Sequence, residues 1–116
     1  MQLEIFTTGG TIDKVYFDSK SSFEVGEPQI VEVLREANLT VDYRVTSLMR
    51  KDSLELTDQD RAMIRQAAQN SLAAQIVITH GTDTMIDTAR ALVGIANKTI
   101  VLTGAMQPAR FRHTDA

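Results

Sequence analysis

Four short apolar runs rich in β-branched residues punctuate this chain, and what lies between them leaves few folds open. Leu3–Thr7, Val41–Leu48, Gln75–Thr79 and Thr99–Thr103 have the length and composition of strands. Helical spacing fills the gaps. Pro28–Ala37 places Ile30, Val31, Val33, Leu34 and Ala37 on one broad face, with Pro28 in the first turn. Thr57 is an N-cap followed by Asp58 and Asp60 at the positive end of the helix dipole, and Ala62, Met63, Ala67 and Ala68 continue that helix. A third helix starts at Asp83 or Thr84, with Met85, Ile86, Ala89, Leu92, Val93 and Ala96 as its apolar face. Strands alternating with helices predict an α/β fold, a parallel sheet with helices on both faces and right-handed crossovers.

At 116 residues the chain is one domain, residues 1–116, with room for one modest core. The last strand has no following helix, which predicts an incomplete domain with an open edge, and hence a homo-oligomer. The connection from Thr8 to Pro28 is longer than a turn requires, and connections over ~12–15 residues are often lids or binding loops. Within it, Lys14–Asp18 and Ser22–Val25 are predicted to pair as a hairpin around Ser19-Lys20-Ser21. Met49–Leu56 reads as a charged loop and Ala109–Ala116 as an unfinished one.

Composition removes several function classes. A net charge of −3 with no basic stripe argues against nucleic acid, and Arg110-Phe111-Arg112-His113 reads as a solvated loop. There is no cysteine, and His80 and His113 lack ligand spacing, so neither a disulfide framework nor a metal site is expected. The glycines fit neither a Walker loop nor a dinucleotide signature, and no cofactor is expected. No apolar stretch reaches ~18 residues, so no membrane-spanning helix is expected. Met1–Phe6 has no basic or long apolar leader, which makes the cytoplasm the expected compartment.

Two threonine motifs carry the chemistry. Thr7-Thr8-Gly9-Gly10-Thr11-Ile12 follows the first strand, and His80-Gly81-Thr82-Asp83-Thr84-Met85 follows the third. Ligands of parallel sheets bind at the carboxyl ends of the strands, so Thr11, Thr82 and Asp83 are expected to face one crevice. Paired hydroxyls beside a carboxylate suggest acyl transfer through a threonine nucleophile. Two readings of the second motif stay open. Asp83 and Thr84 cap the helix, or Asp83 holds a ligand ammonium while Thr82 faces the reacting centre. His80 reads as a structural hydrogen-bonding residue.

Together these motifs resemble the bacterial-type L-asparaginase family, which includes glutaminase-asparaginases. Val101-Leu102-Thr103-Gly104-Ala105-Met106-Gln107-Pro108 is similar to the stretch after the family's fourth strand, and Asp52-Ser53-Leu54-Glu55-Leu56-Thr57 to its substrate loop. The resemblance covers nearly the whole chain. It implies the first half of an asparaginase N-terminal domain that deamidates asparagine, and glutamine secondarily, with no cofactor. By motif position Thr11 matches the family nucleophile, and Thr82 and Asp83 match the family's second threonine and its aspartate. Ser53, with Asp52 beside it, matches the family residue that holds the substrate α-carboxylate. Amides near Gly10 and Gly81 are expected to face a developing oxyanion. Phe23 stands where the family usually carries a lid tyrosine, and two readings of Tyr16 on the same loop stay open: a replacement relay, or a packing residue. The family's partner lysine falls past Ala116. The competing reading is a non-catalytic amino-acid-binding or regulatory module built on the same scaffold.

Overall fold

A computed structural model describes residues 2–17 and 22–116, with Tyr16, Phe17, Ser22 and Phe23 described by their backbone alone. In chain order the elements are β1 (Gln2–Gly9), β2 (Lys14–Phe17), β3 (Ser22–Val25), α1 (Ile30–Glu36), β4 (Asp42–Lys51), α2 (Asp58–Asn70), β5 (Gln75–Thr79), α3 (Met85–Ala91) and β6 (Thr99–Thr103). β4, β1, β5 and β6 form a parallel four-stranded sheet in that order, and β2 and β3 form a separate antiparallel hairpin. The α/β reading and the hairpin therefore hold; the turn Ser19-Lys20-Ser21 lies outside the described residues.

β1 is an interior strand, and its neighbours dictate what it can carry. Phe6 stands beside Ile78 in register, and the residues of that face meet Ile64 and Ala68 of α2 and Leu92 beyond α3. Alternation sends Ile5 to the opposite face, where it is also buried. Glu4 is buried as well, and Arg44, its register partner on β4, reaches it with two hydrogen bonds of 2.9 and 2.8 Å. This bidentate pair satisfies a carboxylate that would otherwise be costly to bury.

Three boundaries differ from the sequence reading. β4 runs on to Lys51, through residues expected in a loop, because β1 shifts register between Thr7 and Gly9 and brings Gly9 beside Lys51. α1 begins at Ile30 with Gln29 as its N-cap, so Pro28 precedes the helix. α3 stops at Ala91 although the apolar spacing continues to Ala96, and Ile86 and Val93 face solvent. Its end is fixed by Arg65 Nη1, which donates to the carbonyls of Ala91 at 2.8 Å and Val93 at 2.7 Å, and by Gly94 at φ 91°.

The strand order decides where a ligand can sit. β1 has β4 on one side and β5 on the other, so the connections leaving β1 and β5 diverge above their shared carboxyl ends. Both threonine motifs begin at that point.

Candidate functional site

Gly9 and Gly10 end β1 at φ 105° and 86°, a region that side chains with a Cβ disfavour. Space imposes the same restriction. A Cβ on Gly10 would lie 2.5 Å from the Gly81 nitrogen, and one on Gly81 would lie 2.6 Å from the Ser53 Cβ. The ends of β1 and β5 and the segment after β4 thus meet in backbone contact, which brings Gly10, Gly81 and Ser53 together. The Gly10 amide donates to the Lys51 carbonyl at 3.0 Å. Its hydrogen is committed there, so the part of Gly10 is conformational.

Thr11 follows and opens a 3-10 turn, Thr11–Asp13. It is half-buried and lines a shallow depression with Lys14, Pro108 and Phe111. Thr82 and Asp83 follow Gly81 on the other side of the contact, both exposed.

The second turn is secured from behind. His80 is fully buried; its Nδ1 lies 2.6 Å from the Gly81 carbonyl and its Nε2 2.7 Å from Thr88 Oγ1. A carbonyl can only accept, which assigns the proton to Nδ1 and makes Nε2 the acceptor of the Thr88 hydroxyl. Burial holds the His80 pKa below its ordinary value, in keeping with a neutral ring. Thr84 Oγ1 donates to the Ser53 carbonyl at 2.9 Å and ties this turn to the segment after β4. No side chain caps α3, so the capping reading of Asp83 and Thr84 is not what the fold uses.

Ser53 is 1% exposed, and among the described residues its Oγ has no hydrogen-bond partner. Asp52 caps the 3-10 turn Ser53–Glu55: Oδ1 accepts from the Leu54 amide at 3.1 Å, while Oδ2 lies 3.4 Å from Lys14 Nζ. The Leu54 bond foremost, with Lys14 adding to it, holds this carboxyl below the usual carboxylate range. Lys14, Glu24, Val25, Arg50, Asp52 and Glu55 line a polar pocket with charges of both signs. Among the described residues no group of three acidic, His or Cys side chains is placed to hold a metal.

Residues 2–116 match the family described as asparaginase, N-terminal. The chain belongs to the asparaginase family. A probable periplasmic L-asparaginase of Haemophilus influenzae is 31% identical over 121 residues, spanning 97% of this chain and 35% of that protein. The thermostable L-asparaginase from Thermococcus kodakarensis superposes with a TM-score of 0.77 at 26% identity, over 99% of this chain and 37% of that one. A probable cytoplasmic L-asparaginase from Campylobacter jejuni superposes with a TM-score of 0.72 at 28% identity, over 98% of this chain and 35% of that one. The chain spans roughly a third of the length of these relatives, whose names include both periplasmic and cytoplasmic proteins. Among the described residues no helix is long and apolar enough to cross a membrane.

Within this asparaginase fold, two residues of the site are given no role by the sequence. Lys14 lines the Thr11 depression and also approaches Asp52. Asp13 is buried directly after the Thr11-Ile12 pair. Neither falls on a motif position, so only the packing of distant segments reveals what they do. Tyr16 stands opposite Phe23 in the hairpin register, and its side chain lies outside the described residues.

Proposed function

We propose that this chain forms the nucleophile-bearing part of an L-asparagine amidohydrolase, with glutamine as a poorer substrate. The observation that carries the reading is the Gly10–Gly81 backbone contact at the β1/β5 switch point, flanked by Thr11 on one side and Thr82-Asp83 on the other. In the proposed reaction Thr11 Oγ attacks the side-chain amide carbon of asparagine and its proton passes to a base. In the resulting tetrahedral adduct the amide C–N bond breaks as nitrogen gains a proton and leaves as ammonia, and the acyl group stays on Thr11 as an ester. Water then cleaves the Thr11 ester and releases aspartate. Thr82 serves the proton transfer to or from Thr11, with Tyr16 as the relay from the hairpin. Asp83, exposed and without a capping duty, takes the substrate ammonium. The α-carboxylate goes to the segment Asp52-Ser53, where the buried Ser53 hydroxyl lacks a partner. Gly10 and Gly81 supply the close approach that lets the two threonines share one substrate.

Self-association belongs to the same proposal, since Val101 on the edge strand β6 is 52% exposed. The test is aspartate calorimetry paired with ammonia release from asparagine, on the chain and on Thr11→Ala. Loss of release by about a thousandfold or more with an unchanged melting temperature is expected. Unchanged release in Thr11→Ala overturns the nucleophile assignment. Aspartate binding without any release in the parent chain favours the non-catalytic amino-acid-binding module instead.

A further inference from the structure

Asp13 closes the 3-10 turn that Thr11 opens, and it is 1% exposed. Its amide donates to the Gly10 carbonyl at 3.1 Å, and its carbonyl accepts from the Gly26 amide at 2.9 Å. Oδ1 accepts from the Gln29 backbone amide at 2.9 Å, whereas Oδ2 is buried with no partner among the described residues. Gln29 is the N-cap of α1, and its Oε1 accepts from Arg110 Nε at 3.2 Å. The neighbouring Ile12 carbonyl accepts from the Ala109 amide at 3.0 Å. The exit from β3, the start of α1 and the segment after β6 are therefore all fastened to the turn that carries Thr11, and Asp13 lies at the junction.

A carboxyl group is an odd choice for a fastening. An asparagine would accept the same Gln29 bond without a charge to bury, and an ionised carboxylate with one orphaned buried oxygen is costly. The charged groups facing it offset this only partly. Arg50 on β4 is itself paired with Glu27 at 2.8 Å, Arg110 acts through Gln29, and Lys14 next in the chain is engaged by Asp52. We propose that Asp13 is a positioning residue for Thr11, whose carboxyl group clasps the β3 exit and the α1 start onto the Thr11 turn and loosens that clasp when it ionises. The clasp stands on the geometry of Asp13; its consequence for catalysis rests on the reading of Thr11 as the nucleophile.

Burial is the largest influence on Asp13, outweighing the Gln29 bond and the field of Arg50, and its pKa is pushed from 3.8 to about 6. Opening the clasp returns the carboxyl group to water and its ordinary value. The closed form therefore holds its proton more tightly. Its advantage is complete below 3.8, is lost as pH rises towards about 6, and changes no further above that.

The test is amide hydrogen exchange on the 116-residue chain and on Asp13→Asn, from acid to neutral pH, corrected for intrinsic exchange. The amides of Gly26 and Gln29 report the clasp, and the amide at position 13 reports the Thr11 turn. In the parent chain, protection is expected to fall by up to about tenfold per pH unit across the window and then level off, while Asp13→Asn stays flat. The same profile in both proteins overturns the proposal. Aspartate calorimetry on the same pair separates the two readings. Absence of binding in both sinks the asparaginase-type site and leaves the exchange result intact, whereas a shared exchange profile with binding retained sinks the clasp alone.

Discussion

At the end of β1 the chain turns by means of glycine, at positive φ and under the backbone of Lys51 and Gly81. At the end of β5 it turns by means of side chains, with His80 bonded to Gly81 and Thr88 from behind, and Thr84 bonded to Ser53. The first turn is buried beneath the hairpin exit and carries an under-satisfied acid, Asp13; the second leaves Thr82 and Asp83 in solvent. One turn depends on what cannot be added to it and the other on what cannot be removed. That contrast suits a site in which one hydroxyl must be held still and its partners must reach a ligand.

The contrast can be broken hardest at Gly10. Gly10→Ala demands both a disfavoured φ and space already taken by Gly81, so a loss of about 3 kcal/mol or more is expected in denaturant unfolding. A near-neutral result would show that the two turns are not in contact. The next largest effect belongs to His80→Phe, which keeps a ring but removes the donor to the Gly81 carbonyl and the acceptor of the Thr88 hydroxyl proton, leaving Thr88 only its bond from Arg61, at a cost of about 2 kcal/mol.

The same substitution sharpens the comparison through pH. His80 has a lowered folded pKa, so its contribution to stability is present above its ordinary 6.5 and is lost as pH falls below it. Asp13 runs the other way, its contribution lost as pH rises from 3.8 to about 6. Melting temperatures of the parent relative to His80→Phe should therefore decline on acidification, and those relative to Asp13→Asn should decline as the pH rises. Parallel trends would refute the opposed burial of acid and base. The smallest effect on stability is expected at Asp83. Asp83→Ala should change stability by less than about 0.5 kcal/mol, because α3 takes no cap from it, while weakening aspartate binding by about 10- to 100-fold. A collapse in melting temperature with affinity intact would restore the helix-cap account.

Much of this was legible in the residue order. The strand cores at Ile76–Ile78 and Ile100–Leu102 and the cap at Thr57 rest on local periodicity and local hydrogen bonds. Thr57 indeed forms a reciprocal capping box with Asp60. Val93 and Ala96 misled because apolar spacing records what a helix could bury, not where Arg65 and Gly94 end it. Met49–Lys51 read as a loop because their place in β4 depends on Gly9, which is distant in the chain.

By itself, the sequence determined the α/β alternation, the two turns that end β1 and β5, and the threonine motifs on which the proposed reaction rests, since each is written in spacing and side-chain type over a few neighbouring positions. The tertiary structure alone decided that Gly10, Gly81 and Ser53 touch, that Lys14 approaches Asp52, and that Asp13 is sealed from water. Those properties arise where segments far apart in the chain exclude solvent from one another, and burial of that kind has no local signature.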